Sequence, residues 1–293
     1  MSPVIYYFLS FTAINILMCW AFYLPYRVGQ LHHLVVSCMM ASAYFSGYAA
    51  RQWSWPFALT LLVGTAIGML ICLLPSFAIG DAPCFTVVIV GLTVLFIMKT
   101  AIENTRALGG TLGFFGIPQV NNLLLLAYLC LAVAGLLIYR IDNSRLGRAA
   151  SMVFVDRDAA SALGVDVKRL GMLFQIIAGG LAGLAGSLYA FLIGSLFPEF
   201  FNLGVIGTLM CMLFAGGHST MWGVVISVPV FEGLHLILPT AVASWLQVIY
   251  AVTLIVVILV LPGGLITKKM LVKVGERFRA RPQTVSIKGG IKE

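Results

Sequence analysis

The sequence has 293 residues, 61% hydrophobic and only 10% charged, with a mean hydropathy of +1.04, whereas a soluble globular chain carries about 25% charged residues. That excludes a soluble fold and predicts an all-α polytopic membrane protein with about eight to ten transmembrane or broken helices. The net charge of +8 is not spread as a nucleic-acid surface would spread it, since 14 of the 18 Lys and Arg residues fall in two places.

In chain order, apolar runs are expected to form spans at about 4–24, 31–50, 55–75, 84–98 and 121–139. The first run lacks a basic leader and a small-residue cleavage site, so it is expected to stay as a span. Pro25, the stretch Trp53-Ser54-Trp55-Pro56 and Pro75 read as breaks between runs, and the tryptophans suit a membrane interface. Between Lys99 and Asn122 lies a glycine-rich loop containing Gly109, Gly110, Thr111, Gly116 and Pro118. It lacks the Lys-Ser/Thr of a phosphate loop and reads as a shaped surface loop that touches a partner or lines the pathway entrance, with a flexible connector as the alternative.

A polar island comes next, Asp156-Arg157-Asp158-Ala159-Ala160-Ser161-Ala162-Leu163-Gly164. Asp156 is an N-cap, Asp158 puts negative charge in the first turn, and Gly164 fits a left-handed helix end. Asp166 then caps the next helix. The result is a two-turn helix over 157–163, with Ala159, Ala160 and Leu163 on one small-residue side that another protein could approach. Arg140, Arg145, Arg148, Arg157, Lys168 and Arg169 surround it, and eight more basic residues fill 268–293. By the positive-inside rule both segments are cytoplasmic. The domain reading is therefore a transmembrane domain over 1–267, with a cytoplasmic loop at 140–169, and a basic tail over 268–293. By this segment count the N-terminus lies on the opposite side from the island. Membrane lipid is a necessary partner of such a chain, and nucleic acid is not.

After the island, residues 170–193 form the clearest helix. Gly179, Gly183 and Ser187 recur every four residues, as do Ala178, Ala182, Gly186 and Ala190. These are small-residue seams for close helix packing. Parity then constrains the block from Val205 to Leu238. If 170–193 and 241–261 each cross once, that block must cross twice or enter and leave on one side. It is too short for two spans and is broken at Gly216, Gly217, His218, Ser219 and Thr220. Broken helices at membrane depth line cavities, and in transporters they mark the substrate path. Gly29-Gln30-Leu31-His32-His33 is a weaker counterpart in the first half, which suggests an inverted repeat without enough internal similarity to establish one.

Candidate pathway residues are Gln30, His32, His33, Thr208, Gly216, Gly217, His218 and Glu232, with Asn15 as a further uncharged polar group. An intramembrane acid such as Glu232 is a functional candidate by default. His235 lies three residues on, and a buried Glu–His hydrogen bond that fixes helix packing is the better reading of that pair; for His32, His33 and His218, which could contact solute, a structural hydrogen bond is likewise the better reading. The six cysteines lie in or beside apolar runs and none has metal-ligand spacing, so neither a metal site nor a disulfide framework is expected. No catalytic triad, zinc motif or phosphate loop is present. The chain is not expected to be an enzyme, and energy for active transport must come from an ion gradient or from a separate ATPase.

Taken together, the motifs resemble a known family. Asp158-Ala159-Ala160, three residues, then Gly164 is similar to the Glu-Ala-Ala-x-x-x-Gly loop of ABC importer permeases. Gly29-Gln30, Gly109-Gly110-Thr111, Gly116-Ile117-Pro118, Arg145-Leu146-Gly147-Arg148, Leu181 to Ala190, Gly216-Gly217, Met221-Trp222-Gly223, Glu232 and Pro262-Gly263-Gly264-Leu265 add to it in chain order. Over about 15–268 the chain resembles the M-type permease subunits of branched-chain amino-acid importers, whose homologues also carry urea and related small polar solutes. The resemblance implies a bacterial inner-membrane permease without a cofactor of its own. Its partners would be a second, homologous or identical permease, cytoplasmic ATPase subunits that hold ATP, and a periplasmic solute-binding protein. It implies ATPase coupling through Asp156, Arg157, Asp158, Ala159, Ala160, Leu163 and Gly164, and an outer role for the glycine-rich loop. The sequence departs from the family near Thr208 and Val94, where glutamates are usual, at His32 to Val35, and at Phe154 and Val155, which replace an Arg-acid-polar run. Those departures bear on the solute. The rival reading is an ion-coupled secondary transporter with Glu232 as its ion site.

Overall fold

The computed structural model describes residues 2–80, 82–217, 219–237 and 246–260. Of 235–237, 246, 247 and four residues of the last helix it describes the backbone alone. Each long apolar run forms a helix, because in lipid only internal hydrogen bonding satisfies the backbone. The helices are α1 (Pro3–Tyr26), α2 (Leu34–Gln52), α3 (Phe57–Ile79), α4 (Cys84–Asn104) and α5 (Leu123–Asp142). Two shorter helices come after them, α6 (Arg145–Val155) and α7 (Arg157–Ala162). The remainder are α8 (Val167–Ile193), α9 (Leu203–Gly216), α10 (Met221–Ile237) and α11 (Leu246–Val260). Six helical segments are long and apolar enough to cross a membrane, and the protein is an all-α polytopic membrane protein.

Pro75 does not end its helix. It sits inside α3, which runs on to Ile79, because neighbouring helices can re-satisfy a backbone group freed within a membrane bundle. Pro25 likewise falls in the last turn of α1. The break at Trp53–Pro56 is real: Ser54 adopts φ 50° and Pro56 starts α3.

At the centre is α8, and both of its small-residue seams are used. A Cβ on Gly183 would meet the Gly64 carbonyl oxygen of α3 at 2.5 Å, and Gly179 sits equally close to Gly68. Gly186 lies against the Met39 backbone of α2. Ser46 of α2 donates to Ser187 at 2.8 Å. This is packing by backbone approach, which membranes favour because no hydrophobic effect drives helices together there. It also explains α2, which falls outside the six apolar candidates. Enclosed by α3, α4 and α8, α2 buries Ser37, Ser42 and Ser46 completely, so it needs no lipid-compatible surface.

The block after α8 folds back on itself. α9 and α10 form an antiparallel hairpin: Gly216 packs on Gly223, and Ser227 donates to the Met212 carbonyl at 2.6 Å. At 1.5 Å per residue α9 and α10 are about 21 and 26 Å long, and α9 with the turn that leads into it, 198–216, is one of the six apolar candidates. The hairpin apex lies beside the last two turns of α1, where Trp20 donates to the Met221 carbonyl at 3.1 Å and Tyr26 packs against Phe214. The basic tail and His218 lie outside the described residues, as does the His235 side chain.

At the far end of the bundle from the island, residues 105–122 are ordered by short-range geometry. Gly109, Gly110, Gly113 and Gly116 all have positive φ. Phe114–Phe115 pairs antiparallel with Ser195–Leu196, and Arg51 donates to the Phe115 carbonyl at 2.7 Å while lying over the Phe114 ring. The loop therefore has a defined shape, with Thr111 and Pro118 exposed on it.

Candidate functional site

Two places combine exposure or cavity with defined chemistry. The first is the island. Asp156 Oδ1 accepts from the backbone N–H groups of Asp158 and Ala159 at 2.9 and 3.0 Å, closing the N-terminus of α7. Gly164, at φ 84°, ends it, and the Val165 N–H returns to the Ala160 carbonyl at 3.1 Å. Asp166 then caps α8 by accepting from Arg169 N–H at 2.9 Å. The helix is thus fixed at both ends by its own sequence.

The structure divides the expected docking face. Ala160 is buried against the bundle, at 1% exposure, while Leu163 is 71% and Val155 85% exposed. Asp158, Ala159, Ser161, Ala162 and Gly164 are also exposed. Ala160 is therefore the foot of the helix, and Ala159 with Leu163 is its free face. Arg157 anchors it sideways by donating to the Ala82 carbonyl, between α3 and α4, at 3.2 Å.

Sequence reasoning missed α6. Gly147, Ala150 and Val153, spaced by three, are its buried face, and Ser144 caps it by accepting from Leu146 N–H. It also missed the junction beneath. Arg27, just past α1, pairs with Asp142 at the end of α5 (3.4 Å) and donates to Ser151 of α6 at 2.9 Å. Tyr23 donates to the same aspartate at 2.7 Å. Opposite charges at the ends of two apolar runs were the available signal.

The second place is a cavity of about 600 Å³ lined by Pro3, Val4, Tyr7, Phe8, Phe11, Thr208, Glu232 and Tyr250. The first five lie on one face of α1, by helical spacing, and Asn15 continues that face. Asn15 Nδ2 donates to Glu232 Oε1 at 2.7 Å. Asn15 is the thirteenth of the 24 residues of α1, so the pair sits halfway along a membrane-length helix. Thr208 donates to Gly204 of its own helix at 3.0 Å, which leaves its oxygen able to accept.

The other pathway candidates are elsewhere. Gln30 and His32 are buried at the island end. Gln30 donates to the Gly80 carbonyl (3.0 Å) and accepts from Gln175 (2.7 Å). The His32 Nε2 lies 3.4 Å from Cys72 Sγ, and His33 Nδ1 lies 3.4 Å from the Leu31 carbonyl. The Gln30 and His32 contacts tie the α1–α2 turn to α3 and α8. Gly216 and Gly217 form the hairpin apex. Of the candidates, the structure brings Thr208, Glu232 and Asn15 together.

Among known proteins, 119 residues are 28% identical to the high-affinity branched-chain amino acid transport system permease protein LivM of Escherichia coli (strain K12), covering 39% of this chain and 28% of that protein. The LivM protein of Salmonella typhimurium (strain LT2) matches to the same extent. No solved structure matches. The model for the branched-chain amino acid transport system permease component matches residues 4–261, and the chain belongs to that family.

Proposed function

We propose that the protein is the M-type permease subunit of an ABC importer in a bacterial inner membrane, taking a branched-chain amino acid or a related small polar solute. A second permease subunit encloses the pathway with it. Cytoplasmic ATPase subunits, which hold the ATP, dock at α7, and a periplasmic binding protein delivers solute to the far end, where the glycine-rich loop lies. The observation that carries this reading is α7 itself: a helix capped at both ends, exposed along Ala159 and Leu163, and footed in the bundle by Ala160. It suits force transfer because its supports lead into the spans. Arg157 reaches the α3–α4 turn, and α6 is joined through Arg27 to α1 and α5. Movement of a docked ATPase would shift these ends together and bias the bundle between two arrangements.

A second reading, an ion-coupled secondary transporter, is favoured by one observation, the carboxyl of Glu232 halfway along α1. The two differ in energy source. Uptake into proteoliposomes holding the assembled complex is expected to require ATP on the α7 side and to survive ionophores. Uptake that ignores ATP and collapses with the ion gradient would overturn the importer reading in favour of its rival.

A further inference from the structure

The corner where α5 turns into α6 gathers positive charge at the edge of the bundle. α5 has 20 residues, about 30 Å at 1.5 Å per residue, which matches a hydrocarbon core of about 30 Å. Its last turn therefore lies at the membrane surface, and Arg140 stands in that turn. Leu125, Leu129, Val133 and Leu136 are exposed along one side of α5, and helical spacing puts Arg140 on the same side, one turn beyond Leu136. Tyr139, also exposed, is the kind of aromatic neighbour common at that depth. α6 then opens with Arg145 and Arg148, both exposed and on the side opposite its buried Gly147, Ala150 and Val153. Arg148 donates to the Asn143 carbonyl at 3.5 Å, which draws its guanidinium back to the corner. The acid of the corner does not offset this charge, because Asp142 takes Arg27 and Tyr23 on the inner side. Among the described residues, Arg140, Arg145 and Arg148 enter no ion pair. Asp156 and Asp158 follow the far end of α6, about 16 Å from its start and beyond a Debye length of about 8 Å. Asp166 is paired with Arg169 at 2.9 Å. The tail over 268–293, outside the described residues, has eight basic and two acidic residues and brings no net negative charge. Met152 and Val155, exposed on the outward side of α6, complete a face of arginine and hydrocarbon, the mixture that suits a headgroup layer.

From this we infer that the α5–α6 corner binds an anionic phospholipid, with the headgroup phosphate held by Arg140, Arg145 and Arg148 and the acyl chains along the exposed side of α5. Guanidinium groups take phosphate oxygens through paired N–H bonds, and each basic residue at an anionic membrane surface adds to the attraction. The leucine stripe decides for lipid over a soluble phosphate, because only a lipid uses both the arginines and the hydrocarbon beside them. A lipid held there pins to the membrane surface the corner that carries α6 and α7. The inference needs only that α5 crosses the membrane, and it stands apart from the importer reading.

The test uses the full chain in nanodiscs of phosphatidylcholine alone or of an equal mixture with phosphatidylglycerol. Retained lipid is read by native mass spectrometry, and the site by hydrogen exchange over 143–149. From the mixture the chain is expected to retain phosphatidylglycerol over phosphatidylcholine by about tenfold or more, with slowed exchange over 143–149. Arg140→Gln combined with Arg148→Gln should cut that preference by about fivefold or more and abolish the slowing. Both side chains are exposed, so the unfolding midpoint in pure phosphatidylcholine should not move. Arg106→Gln, at the opposite end of the bundle, should change neither readout. Equal retention of the two lipids, or an undiminished preference in the double variant, overturns the inference. So does the same slowing when inorganic phosphate is added to phosphatidylcholine nanodiscs, which would make this a site for the free anion. Slowing that requires added ATPase and ignores phosphatidylglycerol would assign the face to a protein partner and overturn it equally.

Discussion

Two interfaces of α8 and α1 differ in kind. Against α2 and α3, α8 is joined through glycine, with backbone atoms in contact at Gly183 and Gly64 and at Gly179 and Gly68. Against α9 and α10, α1 is joined through side chains: the Asn15–Glu232 hydrogen bond, Trp20 on Met221, and an open cavity above them. A backbone seam has no rotamers to change and must move as one body. A side-chain interface with free volume can repack, which is what alternating access requires of some surface in the bundle. The two interfaces are therefore built from different residue types, and under the proposed mechanism the second is the one to move.

The largest effect should come from forcing side chains into the seam. Gly183→Leu places a Cβ against the Gly64 carbonyl oxygen. Overpacking costs about 1–3 kcal/mol where side chains can yield, and more where the neighbour is backbone. The expected outcome is loss of a monodisperse peak in detergent gel filtration. Next is the junction where the α1 end meets α5 and α6. Arg27→Ala leaves the partly buried Asp142 without its cation and should destabilise by less than the about 3–5 kcal/mol that breaking a fully buried pair costs, seen as a lowered midpoint of thermal unfolding. The double variant with Asp142→Ala should recover part of that loss. Asp156→Ala removes the cap of α7 and should cost about 1 kcal/mol, visible as faster hydrogen exchange at Asp158 and Ala159 with the global midpoint little changed. The smallest effect on stability belongs to the cavity wall. Phe8→Leu should leave the unfolding midpoint within error, because the residue borders free volume, and it should change ligand binding instead. A fall as large as that of Arg27→Ala would erase the contrast between the two interfaces.

Much of this was legible from local pattern. The capped α7, the helix after Asp166 and the paired seams of α8 are all encoded within a few residues, as N-cap, left-handed glycine and four-residue spacing. The hairpin could be reached from length and parity, with Gly216 and Gly217 at its turn. Pro75 misled because a proline breaks a helix in water more readily than inside a bundle. Long-range pairing could not be read. Asn15 with Glu232 spans 217 positions and Arg27 with Asp142 spans 115, so neither partner identifies the other in the sequence. The inward turn of Ala160 was hidden for a related reason: helical spacing groups it with Ala159 and Leu163, and only the bundle beneath decides which of them faces in. The glycine-rich loop shows the opposite case, since its positive-φ glycines set its shape locally.

The central claim is that the free face of α7 is where an ATPase engages. It is tested most directly by comparing Ala159→Arg with Leu163→Arg in the assembled complex, measuring ATPase copurification and ATP-driven uptake. Both positions are exposed, so both variants should fold with unchanged unfolding midpoints while copurification falls by about tenfold or more, the loss of a few contacts at an interface core. Full copurification and undiminished ATP-driven uptake in both variants would contradict the account.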